Sequence, residues 1–359
     1  MILTRLRLAN LRLFESLDLE LAPGWNLFTG GNGAGKTTIL EAACLLSHGR
    51  SFRSASHDAL VRAGCAGYSV YGDIELGELA FGVGIARDSG RLQARVAGQT
   101  VPVGELMRQT AVLCFEPGSH ELLGGGSEGR RRFLDWGVFH VEHELLPVWS
   151  RYQRALRQRN ALLRAAASDA ELAAWNHELA RSGEPLSAMR QRYFTVLAQA
   201  AEPLLDDLLA ELGPARLSFS AGHDLSQPLL DELERRQGRD RERGHTTRGP
   251  HRADWSLSFE RAPSREHWSR GQEKLAAFAL LMAQAGCHAA SHRRQRPVLC
   301  LDDVASEIDQ AHLRRVLDMV ERSGSQVLVT ATEPIDLLTR RAETVAVFHV
   351  EQATAQRLL

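Results

Sequence analysis

Eight consecutive residues near the amino terminus have the types and spacing of a phosphate-binding loop. They are Gly30, Gly31, Asn32, Gly33, Ala34, Gly35, Lys36 and Thr37, which fit the pattern G-x-x-x-x-G-K-[ST]. Glycines allow the backbone to turn its N–H groups inward around an anion. Lys36 would bring a positive charge to the β- and γ-phosphates of a nucleotide, and the Thr37 hydroxyl would be a ligand of Mg²⁺. The alternative is a glycine-rich loop without a ligand, because the pattern fixes only four positions.

Two carboxylates, Asp302 and Asp303, follow a continuous apolar run at residues 298–301. Such a run is typical of a buried parallel strand, and ligands of α/β proteins bind at the carboxyl ends of parallel strands. We therefore expect Asp302 to hold Mg²⁺ together with Thr37, and Asp303 to polarise an attacking water. Two solvated acids in a turn are the alternative.

Two further motifs, Ser269-Arg270-Gly271-Gln272 and Ser306-Glu307-Ile308-Asp309, stand before and after the apolar run. Either one alone is consistent with an ordinary helix N-cap. Their order along the chain is more informative, because a phosphate loop, S-x-G-Q, two aspartates after a buried strand and S-x-x-D is the order of an ABC-type ATPase head. In that class the S-x-G-Q of one subunit closes on the ATP held by the other. The order predicts that Ser269, Gly271 and Gln272 act with Lys36 and Asp303 in catalysis.

Arginine-rich segments in the middle of the chain are candidates for binding DNA phosphates. The formal net charge is −1, so any nucleic-acid site must be a local patch. The favoured candidates are Arg130, Arg131 and Arg132, together with the helical face of Arg151, Arg154 and Arg157. Arg164 falls near the same face. A second cluster lies at residues 234–252, which we interpret as an exposed loop. The alternative is a solvated helix face and a mobile loop.

Hydrophobic periodicity places these motifs on an α/β framework. A short strand at residues 25–29 would lead into the phosphate loop, and a helix would leave it from Thr38 to residue 46. Further strands are predicted at 17–21, 79–85, 92–96, 298–301, 326–330 and 344–348, and helices at 151–167, 189–212, from 272 and at 310–323. Because the loop and the carboxylates must meet, residues 1–110 and 290–359 are predicted to form lobe I. Residues 111–289 would form an inserted, mainly helical lobe II that carries the S-x-G-Q signature.

Composition is that of an ordinary soluble protein: 44% of the 359 residues are hydrophobic and 24% are charged. The five cysteines are scattered without a C-x-x-C pair, which suits a reducing cytosol. The amino terminus has no signal-peptide organisation, and no apolar run reaches the ~20 residues of a membrane span. We expect a cytoplasmic protein with no membrane partner.

With these residues in place, the chain closely resembles the RecF family of bacterial DNA-repair ATPases, which is related to SMC heads. The matching segments are residues 6–12, 30–41, 49–53, 131–135, 249–254, 269–272, 301–303 and 306–309. The Asp302-Asp303 pair is diagnostic, since most ABC ATPases have Asp-Glu there. The resemblance implies an α/β, ABC-type P-loop ATPase head with an inserted helical second lobe and no long coiled coil.

The same resemblance implies a function. It is that of a cytoplasmic ATPase with ATP and Mg²⁺ as cofactors, which forms a homodimer on ATP and binds single-stranded and gapped duplex DNA. With RecO and RecR it would help to load RecA at single-strand gaps, in DNA replication, repair and the SOS response.

The chain departs from the general ABC pattern at two points. Thr330-Ala331-Thr332 stands where a switch histidine is expected, and no glutamine marks the lobe junction near Glu116. Together with the short Asp303 side chain, these departures predict slow hydrolysis that serves as a timing switch. The alternatives are the ATP-binding subunit of a membrane transporter, which normally carries both features, and an ATP-dependent scaffold that does not hydrolyse ATP.

Overall fold

The computed structural model describes residues 1–54, 56–292, 295–335, 338 and 345–358. The chain divides into two compact units, of which the first comprises Met1–His120 and Arg270–Leu359 and the second Glu121–Ser269. The second unit is therefore an insertion in the first. Among the described residues, no helix is long and apolar enough to cross a membrane.

A mostly parallel sheet forms one layer of the first unit. Its strands are β3 (Trp25–Thr29), β8 (Val112–Phe115), β11 (Val298–Leu301), β12 (Val327–Ala331), β13 (Val345–Glu351) and β14 (Thr354–Arg357). The spatial order is β14-β13-β3-β12-β11-β8, and only β14 runs antiparallel to its neighbour. β11 is buried at all four positions, which explains its continuous apolar sequence. The predicted start of β13, Thr344, lies outside the described residues.

An antiparallel sheet forms the second layer. Its strands are β1 (Ile2–Leu11), β2 (Phe14–Glu20), β4 (Gly67–Leu76), β5 (Leu79–Asp88), β6 (Arg91–Val96) and β7 (Gln99–Val101), in the order β2-β1-β4-β5-β6-β7. Helix α1 (Lys36–His48) contacts both sheets and is buried along most of its length. Its apolar residues share one hydrophobic core with residues of both sheets, which fixes the end of α1 where the phosphate loop enters.

The first unit also contains the helices α2 (Val103–Gln109), α9 (Arg270–Ser291), α10 (Val304–Glu307) and α11 (Gln310–Ser323). The boundaries of this unit differ from the predicted lobe boundaries at 110 and 290. Residues 111–120 and 270–289 belong to the first unit, because β8 pairs with β11 and α9 packs against β8. The predicted connector after α9 falls partly outside the described residues at Arg293 and Arg294.

The second unit is mainly helical. It contains α3 (Glu121–Gly124), α4 (Ser127–Val141), α5 (Leu145–Arg164), α6 (Asp169–Leu208), α7 (Leu229–Arg235) and α8 (Gln237–Arg243), and the antiparallel pair β9 (Ala215–Ser220) and β10 (Asp254–Phe259). α5 and α6 pack together as a helical hairpin, and a capping box of Ser168 and Glu171 starts α6. The described residues contain no long coiled coil, as predicted.

The interpretation of residues 234–252 as an exposed loop is wrong. α8 occupies the middle of this segment, and a buried ion pair holds it in place. Arg159 of α5 donates to the Asp240 carboxylate at 2.8 Å, and both side chains are almost fully buried. The same guanidinium donates to Asn176 at 2.6 Å and to the Thr246 hydroxyl at 2.8 Å. The polar, glycine-containing composition of the segment suggested a loop. The ion pair could not be predicted from that composition, because Arg159 lies outside the segment.

Candidate nucleotide-binding site

The phosphate loop joins β3 to α1, so the predicted strand, loop and helix are confirmed. Two glycines are required by close packing. Gly30 has φ +145°, and a Cβ there would lie 2.1 Å from the carbonyl oxygen of Val350. Gly35 has φ +114°, and a Cβ there would lie 2.7 Å from the ring of Phe14. No L-residue with a side chain fits either position, so β13 and the start of β2 together fix the course of the loop.

The loop presents positive charge and backbone donors at the start of α1. Lys36 Nζ donates to the carbonyl oxygens of Gly30 at 2.6 Å and Gly31 at 2.9 Å, so the ammonium lies over the loop. The first turn of α1 carries no acidic side chain, and its N-cap residue is a glycine. Thr38 is buried in this turn and its N–H donates to the carbonyl of Gly35 at 2.9 Å. A cation at a helix N-terminus with no acidic side chain in its first turn is suited to binding phosphate.

The tip of the loop, formed by Gly31, Asn32 and Gly33, is exposed. Ala34 behind it is half-buried, and its carbonyl accepts the N–H of Ala353 at 3.3 Å. The loop is therefore anchored at its base and accessible at its tip.

Asp302 meets the phosphate loop at the carboxyl end of β11, although 265 residues separate it from Thr37. The Thr37 hydroxyl lies 3.0 Å from Asp302 Oδ1 and 3.1 Å from Oδ2. The expectation that the loop and the carboxylate come together is confirmed.

The Thr37 hydroxyl and the Asp302 carboxylate fit a magnesium ion. Both are hard oxygen donors, and their 3.0 Å separation is close to the ~2.9 Å between neighbouring ligands of an octahedral ion with bonds of ~2.0–2.1 Å. The described residues contain no group of three or more His, Cys, Asp or Glu side chains that could hold an ion. Phosphate oxygens and water would supply the remaining ligands, which is the environment that Mg²⁺ prefers.

Burial raises the pKa of Asp302 above its usual range, and the neighbouring Asp303 carboxylate raises it further. Hydrogen bonds from Thr330 and Thr37 and the charge of Arg53 lower the pKa and oppose this effect. A bound cation would also lower the pKa of Asp302, because it favours the ionised carboxylate.

Asp303 has an unusual backbone for a residue that is not glycine, with φ 52° and ψ 33°. It is half-buried at the start of α10, and its N–H donates to the Thr330 hydroxyl at 2.9 Å. A left-handed residue that joins a strand to a helix is consistent with a functional position. The role of Asp303 in polarising water stays a prediction.

Thr330 also belongs to this site, a role that was not predicted from the sequence. The position was considered only as part of the segment without a switch histidine. Thr330 is fully buried at the end of β12, and its hydroxyl donates to Asp302 Oδ1 at 2.7 Å. A polar residue at the end of a buried strand was the available signal.

The segment after α1 was also left without a role. Ser51 Oγ accepts the N–H groups of Arg53 at 2.9 Å and Ser54 at 3.1 Å, and it donates to the buried carboxylate of Glu41. Glu41 also forms an ion pair with Arg12 at 2.8 Å. This network fixes the exposed Arg53 close enough to influence the pKa of Asp302.

The signature residues lie at the start of α9. Ser269 immediately precedes the helix, and Gly271 and Gln272 are in its first turn. Ser269 and Gly271 are exposed and Gln272 is half-buried, as a surface that contacts another subunit requires. Asp309 of the second motif is the N-cap of α11, where its carboxylate accepts two backbone N–H groups.

The structure corrects the interpretation of the basic segment that begins α4. Arg130 forms a two-pronged ion pair with Asp254, with distances of 2.7 and 2.9 Å, and Arg131 donates to the carbonyl of Ala253 at 2.8 Å. These contacts tie α4 to β10, so Arg130 and Arg131 are structural residues. Arg132 is exposed and pairs with Glu128 one turn earlier.

Four of the arginines of α5 face solvent, whereas Arg159 is buried. Arg151, Arg154, Arg157 and Arg164 are all exposed. Arg151 lies 3.6 Å from Glu178, whereas Arg154 and Arg157 have no ion-pair partner among the described residues. Their contact with DNA stays a prediction.

Comparison with known proteins shows which family and which proteins the chain is similar to. Residues 2–356 match the RecF/RecN/SMC N terminal domain family. The DNA replication and repair protein RecF of Stenotrophomonas maltophilia (strain R551-3) is 45% identical over 97% of both chains. The RecF of Vibrio vulnificus (strain CMCP6) is 35% identical over 99% of both chains.

Solved structures agree with this relationship. A structure of the recombination mediator protein RecF-ATP in the RecFOR pathway is similar, with a TM-score of 0.89, 25% identity and coverage of 100% of this chain and 98% of that one. The Smc head bound to the C-winged helix domain of ScpA shares the fold alone, with a TM-score of 0.61, 14% identity and coverage of 100% and 97%. The fold is an ABC-type ATPase head, and the chain belongs to the RecF family.

Proposed function

We propose that this protein is an ATP-dependent DNA-binding protein of DNA replication and repair that hydrolyses ATP slowly. The observation that carries the proposal is the contact between Thr37 and Asp302 beside Lys36 at the end of the parallel sheet. This contact brings a cation, a hydroxyl and a carboxylate to the start of one helix. The names of the relatives, which describe DNA replication and repair, support the biological setting.

In the proposed site, Lys36 and the N–H groups of the loop bind the phosphates, and Thr37 and Asp302 hold Mg²⁺. The ion supplies positive charge that offsets the charge of the phosphate oxygens. Asp303 accepts a hydrogen bond from the attacking water and orients it towards the terminal phosphate. Ser269, Gly271 and Gln272 act on the ATP of a second copy of the chain, so that hydrolysis requires a homodimer.

We further propose that the ATP-bound dimer binds single-stranded and gapped duplex DNA in the cytoplasm. There it would work with RecO and RecR to load RecA and would support the SOS response. The solved RecF-ATP structure reported above is that of a recombination mediator protein in the RecFOR pathway, which supports this assignment. The exposed arginines of α5 are the candidate DNA contacts.

The alternatives make different predictions for a purified sample. A scaffold that does not hydrolyse ATP would bind it without releasing phosphate. A transporter subunit would have relatives in transport, whereas the curated relatives reported above are DNA replication and repair proteins.

Labelling and substitution of Lys36 both test the nucleotide site. The chain contains only two lysines, Lys36 and Lys274, so an acyl-phosphate derivative of ATP that acylates lysines has few possible targets. We expect this reagent to label Lys36, and we expect excess ATP to prevent the labelling.

Lys36→Ala should lower ATP affinity by roughly ten- to a hundredfold, because hydrogen bonds to charged groups contribute ~1.5–3 kcal/mol. The matched control is Arg91→Ala on β6. Equal ATP affinity of the two variants would contradict the site assignment.

A further inference from the structure

A buried hydroxyl on β12 connects the two aspartates of the candidate site, through the carboxylate of Asp302 and the backbone N–H of Asp303. Thr330 is completely buried and belongs to the strand between β3 and β11. Its Oγ1 donates a hydrogen bond to Asp302 Oδ1 at 2.7 Å and accepts one from the N–H of Asp303 at 2.9 Å. One side chain therefore contacts two consecutive residues through its donor and its acceptor.

The first contact orients the Asp302 carboxylate. Thr330 donates to Oδ1, and the Thr37 hydroxyl lies 3.0 Å from Oδ1 and 3.1 Å from Oδ2. If Thr37 and Asp302 together held Mg²⁺, the hydrogen bond from Thr330 would keep the carboxylate in the same orientation.

The second contact fixes the backbone of Asp303. This residue has φ 52°, a conformation that residues with a Cβ adopt only at an energetic cost. Its N–H would be without a partner in the strand-to-helix turn if the Thr330 hydroxyl did not accept it. The direction in which the Asp303 side chain leaves the backbone therefore depends on Thr330.

We propose that Thr330 is a positioning residue that aligns Asp302 for the metal ion and Asp303 for the water. It acts through these two residues and does not itself touch the nucleotide. The inference rests on the roles proposed above for the two aspartates. It assigns a function to a position in the segment where the general ABC pattern places its switch histidine.

The experiment compares Thr330→Val, Thr330→Ser and Thr110→Val. Valine has the shape of threonine but neither hydrogen bond, whereas serine retains the hydroxyl. Thr110 is a matched control, because it is buried, donates to the carbonyls of Leu46 and Leu106, and lies before β8, at the opposite end of the sheet from the site. The readouts are the affinity of Mn²⁺ for the protein–ADP complex, measured by electron paramagnetic resonance, and kcat and KM for ATP hydrolysis.

We expect Thr330→Val to weaken Mn²⁺ binding by roughly ten- to a hundredfold, the range expected for a lost hydrogen bond to a charged group. Its kcat should fall more than its KM rises, and ADP affinity without divalent ions should not change. Thr330→Ser should restore Mn²⁺ affinity and kcat. Thr110→Val should lower thermal stability but leave both readouts at the wild-type level.

The inference is overturned if Thr330→Val and Thr110→Val have the same Mn²⁺ affinity and kcat. It is also overturned if the serine variant is as defective as the valine variant, since the hydroxyl would then not be the active feature. Failure of the proposed function is distinguishable, because wild-type protein would then release no phosphate or Lys36→Ala would release it at the wild-type rate.

Discussion

Neutralising the exposed arginines of α5 should reduce the salt dependence of DNA binding by a calculable amount. Arg154 and Arg157 are exposed and have no ion-pair partner among the described residues, so each is available for one phosphate. Each phosphate contact contributes ~0.9 to the slope of log K against log salt concentration on duplex DNA and ~0.7 on single strands. Arg154→Gln with Arg157→Gln should therefore lower the slope by about 1.8 on duplex and about 1.4 on single-stranded DNA. Adding Arg151→Gln should lower the slope by less than one full phosphate contact would, because Arg151 already lies 3.6 Å from Glu178.

The assay is fluorescence anisotropy of a labelled gapped duplex, titrated with protein and ATP at several KCl concentrations. The matched control is Arg91→Gln with Arg95→Gln, which removes the same charge from two exposed positions of β6. Only the α5 variant should lower the slope, while ATP affinity stays at the wild-type value in both. Equal slopes for the two variants would refute the DNA assignment. These arginines would then be interpreted as a solvated helix face.

Three further predictions concern the nucleotide site. Asp303→Asn should retain Mg·ATP binding through Thr37 and Asp302 but block hydrolysis, so that ATP-dependent dimers persist in light scattering; a normal rate of phosphate release would exclude Asp303 as the water-polarising residue. Ser269→Arg should leave ATP binding by the monomer intact and abolish dimerisation and hydrolysis together, and an ATP-dependent dimer of this variant would contradict the role of Ser269 across the dimer. Asp302→Asn should raise the Tm of the nucleotide-free protein at pH 7 and abolish Mg²⁺-dependent ATP binding. Burial raises the folded-state pKa of Asp302 above 3.8, so ionisation costs stability as the pH rises; the Tm difference should therefore vanish below about pH 3.8. A Tm gain that persists under acid conditions would need another cause.

The phosphate loop was predictable because its chemistry is contiguous in the chain. Eight neighbouring residues supply the glycines, the cation and the hydroxyl, and the flanking periodicities give the strand and the helix. Asp302 required one further step, namely that carboxyl ends of parallel strands meet at one edge of a sheet. Neither feature depends on the order of the strands, because local sequence and a general rule of sheets are enough to predict both.

Thr330 was not predictable in this way, because its role depends on the spatial order of the sheet. β12 lies between β3 and β11 although it follows both in the chain, so its last residues are adjacent to Asp302 only in the folded protein. The arginines present the same difficulty. The partner of Arg130 is Asp254, 124 residues away, and a sequence window around Arg130 contains no sign of it.

The near-zero net charge makes the pairing of each arginine decisive for the mechanism of DNA binding. Arginines such as Arg130 that are held by carboxylates contribute little to phosphate binding. Exposed arginines without an ion-pair partner among the described residues, such as Arg154 and Arg157, are the ones that can contribute. A monomer that uses Arg154 and Arg157 gains a salt slope of about 1.8, which corresponds to weak binding. If ATP brings two copies together on one duplex, the contribution of these arginines should double to about 3.6. We therefore expect the measured slope to be steeper with ATP than with ADP, and Ser269→Arg to show the shallow slope with either nucleotide. A slope that is independent of the nucleotide would show that dimerisation does not assemble the DNA site.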